Sequence, residues 1–318
     1  MSGMGDALSS LLHDVRPAGA LFGPSLLSPP WSLRFAEETQ LTLLTMLSGQ
    51  AWATPDGGAV TPLHTGDIAL VRGPAPFTVA DAPTTAPRAV VRSPGVCTAP
   101  DGRALADGLP MCRPGNSPDE SAVLLKVSYE VDGQSGRRLL DALPGLARIP
   151  ALPGGCPTLE MISAEVRGDA PGRDVILDRL LELLLVSSLR EWFKLPTTDT
   201  PAWYRAQADP VVGQALRSLH DDPAYPWTVA RLAEQSGISR AAFAQRFNHL
   251  VGSPPMAYLT EWRICRAADL LTNSDATVAA VARQVGYSSS YALSAAFKRT
   301  LGIRPTEHRD RSRERTTA

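Results

Sequence analysis

Two stretches decide the reading: Thr228-Val-Ala-Arg-Leu-Ala-Glu-Gln-Ser-Gly-Ile-Ser-Arg-Ala-Ala-Phe-Ala-Gln-Arg-Phe247 and Thr277-Val-Ala-Ala-Val-Ala-Arg-Gln-Val-Gly-Tyr-Ser-Ser-Ser-Tyr-Ala-Leu-Ser-Ala-Ala-Phe297. They are similar and lie about fifty residues apart. Each has the outline of a short helix, a turn at a glycine (Gly237, Gly286) and a second helix. Two such units in one chain point to contact with duplex DNA.

The surroundings supply helix signals. Asp209-Pro opens a helix running to His220, with Asp as cap and Pro at the first position. Thr228 and Ser239 are caps in the first unit, and Asp275 or Thr277 in the second. Phe243, Phe247 and Leu250 recur at i, i+4 and i+7, so they face a core, as do Leu293, Phe297 and Leu301. The opposite faces carry Arg240, Ala241, Ala244, Gln245 and Asn248 in the first unit. In the second they carry Ser290, Tyr291, Ser294, Ala295 and Lys298. Gly252-Ser-Pro-Pro255 and Gly302…Pro305 end the two helices. A long helix over 256–273 joins the units rigidly. Two reading helices on such a connector suit successive major-groove turns, about 34 Å apart.

Working towards the N-terminus, 194–210 holds three Pro and several Thr and reads as a linker. Gly172–Phe193 reads as a helix with apolar residues over more than one face, which needs two partners. One is its own chain; a second subunit is the other candidate. Gly136–Pro144 reads as a short helix. Residues 21–155 are rich in Gly and Pro with short β-type runs: 31–35, 41–47, 68–71, 77–79, 88–92 and 121–129. That pattern predicts a small β-barrel or jelly roll. A long polar segment, 93–118, interrupts it.

The chain has 318 residues, enough for two domains, and is 44% hydrophobic and 20% charged. No apolar run reaches the roughly 18–20 residues of a membrane span. Met1–Arg16 lacks the features of a signal peptide, so a cytoplasmic location is expected. Net charge is −1. Residues 211–318 hold 14 Lys+Arg against 9 Asp+Glu, a net of +5, and the rest holds 17 against 23, a net of −6. A basic C-terminal part suits a domain that meets phosphates.

The residues at 209–309 resemble the DNA-binding domain of AraC-type transcription regulators. Ala233, Gly237, Ser239, Phe247 and Gly252 carry the match, with Arg266-Ala-Ala-Asp-Leu-Leu271 and the stretch from Val278 through Gly286-Tyr, Phe297-Lys-Arg and Gly302-Ile-Arg-Pro305. The front half resembles the cupin-type sensor of one subgroup, through Trp31, Thr65–Gly73, Tyr129, Arg138–Pro144 and the helix at 172–192. The implied fold is α+β. A cupin-like β-barrel with flanking helices occupies 1–195, for sensing and dimerisation. A linker follows at 196–208. An all-α DNA-binding domain with two helix-turn-helix units spans 209–309, before a basic tail at 310–318.

The expected DNA contacts are Ser239, Arg240, Ala241, Ala244 and Gln245 in the first unit. In the second they are Ser289, Ser290, Tyr291, Ser294, Lys298 and Arg299. Gln245 suits a bidentate contact to adenine and Arg240 one to guanine or phosphate. Lys298 and Arg299 are expected on phosphates. The second helix is poor in long polar side chains, so the first is expected to discriminate more strongly.

Cupins often hold a metal through His and Glu. Here His64 is the sole His between residues 14 and 219, so neither a metal nor another cofactor is expected. Of four cysteines, Cys97 and Cys112 lie in the long polar segment near Arg92, Arg103 and Arg113. Guanidinium groups lower a thiol pKa. Cys97, with Cys112 as resolving partner, is a candidate sensor of an oxidant or electrophile. The alternative is two inert thiols beside a barrel that takes a small organic ligand. The expected partners are promoter DNA, a small-molecule or oxidant effector, a second copy of the chain, RNA polymerase, and no membrane. The competing class is a cupin-type enzyme with an accessory DNA-binding domain.

Overall fold

The computed structural model describes residues 15–20, 25–93, 96–105, 122–131, 133–168, 170–196 and 200–317. Cys112 and Arg113 lie outside them. The chain divides into two compact units. The strand-bearing unit contains residues 15–131 and 140–196, and the helical unit 133–139 and 200–317, within the described residues.

Among the described residues there are twelve strands: β1 (Val15–Ala20), β2 (Ser25–Leu27), β3 (Ser32–Phe35), β4 (Leu41–Ser48), β5 (Gln50–Pro55), β6 (Thr61–His64), β7 (Ile68–Arg72), β8 (Phe77–Ala80), β9 (Ala89–Ser93), β10 (Val96–Thr98), β11 (Ala122–Val131) and β12 (Leu146–Ile149), of which β3, β4, β7, β8, β9 and β11 coincide with the β-type runs of the sequence. One six-stranded sheet has the order β1-β11-β4-β7-β12, with β2 also on β11. The other has the order β10-β9-β3-β8-β5-β6. All pairs are antiparallel except β3 with β9.

Side chains alternate along each strand. Leu124 on β11, Leu44 and Met46 on β4, Ala69 and Val71 on β7, Leu33 and Phe35 on β3, and Phe77 and Val79 on β8 therefore share one buried core between the sheets. The Gly66-Asp67 turn is fixed by the carboxylate. Asp67 accepts from the His64 N–H (2.9 Å), the Ala151 N–H (2.8 Å) and Arg148 Nη2 (2.7 Å). Burial alone would raise its pKa, but these donors outweigh it and hold the carboxyl below the usual range.

Alternation also brings Lys126 to the inner face of β11. It is 3% exposed and ion-paired with Glu37, which is 7% exposed. Its ammonium lies 5.3 Å from the Phe35 ring centroid. Burial pulls the Lys126 pKa down, while Glu37 holds it up.

Among the described residues, three helices precede residue 195: α1 (Gly133–Asp141), whose residues 133–139 belong to the helical unit, and α2 (Pro157–Arg167) and α3 (Arg173–Lys194) of the strand-bearing unit. The apolar helix expected from Gly172 is α3. It buries Leu177, Leu180, Leu181, Leu184, Leu185, Leu189 and Phe193. Its backbone accepts from the Tyr129 hydroxyl at Leu181 O, 2.9 Å away. Val175, Ile176 and Leu183 stay exposed at 66%, 43% and 50%. Among the described residues no helix is long and apolar enough to cross a membrane.

The helical unit holds α4 (Ala202–Arg205), α5 (Pro210–Asp221), α6 (Val229–Gln235), α7 (Arg240–Val251), α8 (Pro255–Asn273), α9 (Val278–Gln284), α10 (Ser290–Leu301) and α11 (Pro305–Thr317). Two expectations change here. The second half of the 196–208 linker is helical and belongs to this unit, anchored by buried Trp203. The 310–318 tail is largely the end of α11. Arg309 donates to the carbonyls of Leu271 and Ala276, and Arg313 reaches Asp275 at 2.5 Å. These arginines satisfy backbone carbonyls and a carboxylate of the chain itself, which orders the helix.

Candidate nucleic-acid interface

Side-chain caps fix where each reading helix starts. Ser239 Oγ accepts the Ala242 N–H at 3.2 Å, opening α7. Ser289 Oγ accepts the Ala292 N–H at 3.1 Å, opening α10. The preceding helices are capped alike, by Thr228 on Arg231 and Thr277 on Ala280. Of the two candidates in the second unit, Thr277 is thus the cap. Each cap supplies an acceptor for an otherwise unpaired donor.

The turn at Gly286 needs glycine twice over. Its φ is +82°, and a Cβ there would sit 2.8 Å from Ala224 Cα and the Ala224 carbonyl oxygen. Arg263 holds this corner from α8, donating to the carbonyls of Pro223 (2.7 Å) and Tyr225 (2.9 Å). That role was not read from the sequence. The Gly-Tyr after α9 and the downstream helix were the only local signal.

The inner stripes lock the faces. Phe243 and Phe247 are fully buried, 5.8 Å apart by ring centroid, and Tyr258 meets Phe247 edge-on at 5.9 Å. His220 meets Trp262 at a tilt, ring centroids 4.6 Å apart, and its Nε2 lies 2.9 Å from the Tyr258 hydroxyl. Leu293, Ala296 and Phe297 pack with Ile264, Ala268, Leu271, Val281 and Ala282 in a second cluster. The connecting helix α8 thus contributes to both units. Leu250 and Leu301, at the ends of the stripes, are half-buried.

The outward faces are then fixed by elimination. On α7, Arg240, Ala241, Gln245 and Asn248 are exposed and Ala244 is half-buried. On α10, Ser290, Tyr291, Ala295, Lys298 and Arg299 are exposed and Ser294 is half-buried. The cap residues Ser239 and Ser289 are exposed at the helix starts. Tyr291 stands 84% exposed, a large aromatic surface with no core to fill. A shallow open depression lined by Ile238, Ala242, Gln245, Arg246, Asn248 and His249 runs beside the α7 face.

Arg246 has a structural task. Its Nη2 and Nε lie 2.6 and 3.1 Å from Asp209 Oδ2. The other Asp209 oxygen caps α5, accepting from Val211 and Val212. Burial would raise the Asp209 pKa. The Arg246 guanidinium and the two N–H donors overcome this and hold it below the usual carboxylate value. One carboxylate therefore starts α5 and orients α7.

Cys97 lies on β10 in the strand-bearing unit. It is half-buried, packs against the core shared by the sheets, and lies within electrostatic reach of the Lys126 ammonium. The expected cations were Arg92, Arg103 and Arg113; the first two are exposed and Arg113 lies outside the described residues. Cys265, inside α8, is 4% exposed, and burial pushes its thiol up to about 12, which fits an inert packed residue.

Comparison with known proteins gives the family. Residues 6–194 match the cupin family profile, and residues 232–311 match a helix-turn-helix domain. A Streptomyces lividans protein, named as AraC-like transcription regulator, is 33% identical over 309 residues, covering 96% of this chain and 98% of that one. The HTH-type transcriptional regulator AlkR of Acinetobacter baylyi is 30% identical over 314 residues, covering 96% and 100%. Among solved structures, the DNA-binding domain of AdpA, in complex with a target DNA, is 33% identical, covering 34% of this chain and 96% of that one, with a TM-score of 0.33. This chain belongs to the AraC-type DNA-binding transcription regulators and carries an N-terminal cupin domain.

Proposed function

We propose that the chain is a signal-controlled regulator in which α7 reads one short DNA box and α10 reads a second. The observation that carries this is the split of both helices into a fully buried stripe and an exposed outer face. Arg240 and Gln245 have the length and donor pattern for guanine and adenine edges. Ala241 and Ala244 allow close approach and suit thymine methyl groups. Ser290, Tyr291 and Ser294 form the second reading set. Ser239, Ser289, Lys298 and Arg299 hold phosphates, which position the helices without reading sequence.

The signal enters at the cupin domain. A thiol-reactive species acting at Cys97, with Cys112 as resolving partner, is the reading we favour. Its support is the thiol's half-buried place on β10, packed against the core shared by the sheets. A small organic ligand is the alternative signal. A second copy of the chain covers the apolar surface of Val175, Ile176 and Leu183 on α3, with Met161 of α2, 55% exposed. A self-complementary apolar patch of this kind suits a two-fold dimer. RNA polymerase at cytoplasmic promoters is the downstream partner. A cupin enzyme is disfavoured by its histidine supply. His64 lies 3.4 Å from Asp67 in the turn before β7, and no second His is near it in sequence.

Genome-wide binding, measured with and without hydrogen peroxide and a thiol-alkylating electrophile, tests the signal. Wild-type occupancy is expected to change at a defined set of promoters, and Cys97→Ser occupancy to stay constant. A full response in Cys97→Ser would exclude the thiol and leave the small-ligand reading.

A further inference from the structure

The helical unit contains a segment that the helix-turn-helix pattern does not require. Residues 133–139, which lie between β11 and β12 in sequence, belong to the helical unit. They join it at Asp269 on the connecting helix α8, a carboxylate 3% exposed. Asp269 Oδ1 accepts the Gln134 N–H at 2.6 Å, and Oδ2 accepts the Ser135 hydroxyl at 2.5 Å. The carboxylate therefore supplies acceptor and negative charge to the first turn of α1, as a cap would.

The fit is close. Gly133 has φ +74°, and a Cβ there would lie 2.4 Å from Asp269 Oδ1. Ser135 Oγ also lies 3.3 Å from Cys265 Sγ. One turn further on, the Arg138 guanidinium lies 5.3 Å from the Tyr258 ring centroid and 3.8 Å from Glu261. Tyr258, Glu261, Cys265 and Asp269 follow helical spacing, so α1 lies along one stripe of α8. The α8 residues of the second core cluster, Ile264, Ala267, Ala268 and Leu271, are different ones.

We propose that Asp269 is a latch that holds residues 133–139 on the connecting helix, and that full-strength DNA binding requires the latch to open. With α1 in place, Arg240, Gln245, Tyr291 and Lys298 remain exposed, so the latch does not mask the reading faces. It acts on freedom of placement. A DNA-binding unit tied to the rest of the chain at a second point is confined, and an operator that needs another placement is bound only by the unlatched fraction. Apparent affinity falls by that fraction. The segment is continuous with β11, the strand that carries Lys126, so an event in the cupin core has a direct covalent route to the latch. This rests on the DNA-reading role proposed for α7 and α10.

The test uses the full chain as wild type, Asp269→Ala, Gly133→Ala and the double variant. Gly133→Ala acts from outside α8 and guards against a misfolded Asp269 variant. The DNA probe is a duplex enriched from random sequence by the wild-type chain. In both single variants, amide exchange over 134–139 is expected to rise at least about tenfold, and the probe Kd to fall at least about threefold. The double variant should match the singles, since both break one latch. Unchanged exchange overturns the proposal. So does faster exchange with an unchanged or weaker Kd. A wild-type chain that enriched no sequence would instead contradict the reading role of α7 and α10, and the latch's effect on DNA with it.

Discussion

Replacing Phe297 with alanine is expected to unfold the second helix-turn-helix unit and abolish DNA binding. Phe297 is fully buried, packs in the cluster with Leu271, Val281 and Leu293, and meets His308 edge-on at 5.5 Å. Truncating a buried Phe costs about 3–5 kcal/mol, from lost transfer energy plus the cavity left behind. A small domain has only about 5–15 kcal/mol in total. The helical unit's thermal midpoint should therefore drop by more than about 10 °C. The strand-bearing unit, with its separate core, should unfold as before. Tyr291→Ala is the control. At 84% exposure it should move stability by less than about 0.5 kcal/mol, so any loss of DNA binding there reports contact and not folding. An unchanged midpoint in Phe297→Ala would mean that the stripe Leu293/Phe297 does not face a core.

The second large effect is expected in the other unit. Lys126→Ala leaves the Glu37 carboxylate buried without its partner. Breaking a buried pair from one side costs about 3–5 kcal/mol, because the remaining charge stays desolvated. Exposed pairs such as Arg179–Glu182, with side chains 74% and 29% exposed, should change stability by less than about 1 kcal/mol when broken. The double replacement Lys126→Met with Glu37→Leu should recover most of the loss, since it removes both charges and keeps apolar volume. Denaturant unfolding of the three variants decides this. A single variant as stable as wild type would mean that water reaches the pair.

The helical unit was largely legible in the sequence, and the reasons are local. Phe243 and Phe247, and Leu293 and Phe297, stand one helical turn apart, and Thr228, Ser239, Thr277 and the glycines sit where caps and turns need them. These signals act over a few residues. The ends of the stripes differ, where Leu250 and Leu301 are half-buried because the helices run out of core, as do the helical stretch at 202–208 and the helical tail. The strand-bearing unit was legible in part. The apolar runs at 41–47, 68–71 and 121–129 became β4, β7 and β11. Strand β5, Gln50-Ala-Trp-Ala-Thr-Pro55, was missed, because alanine and threonine between turns carry little β signal. Helix α2 was missed although Pro157 stands at its first turn.

Long-range polar contacts were out of reach. Glu37 and Lys126 are 89 residues apart, and Asp269 and Gln134 are 135 apart. No periodicity announces a contact set by tertiary packing. Arg246 is intermediate. It sits on α7 beside the outer face, but its partner Asp209 lies 37 residues away and carries only a cap signal in the sequence. The surroundings of Cys97 were the least legible: its sequence neighbours are arginines, whereas Lys126, within its electrostatic reach, comes from another strand.

The central claim is that this chain reads DNA sequence through both helices, with α7 the more discriminating. Selection of binding sites from random duplex DNA, run on wild type, Gln245→Ala and Tyr291→Ala, tests it most directly. Wild type should enrich two short boxes with centres about 10–10.5 base pairs apart. Gln245→Ala should lose the base preference at a position in one box, worth about 1–3 kcal/mol, and Tyr291→Ala should weaken the other box by less. A single enriched box would contradict the two-helix account. Loss of all preference in Tyr291→Ala with none in Gln245→Ala would reverse the ranking of the helices.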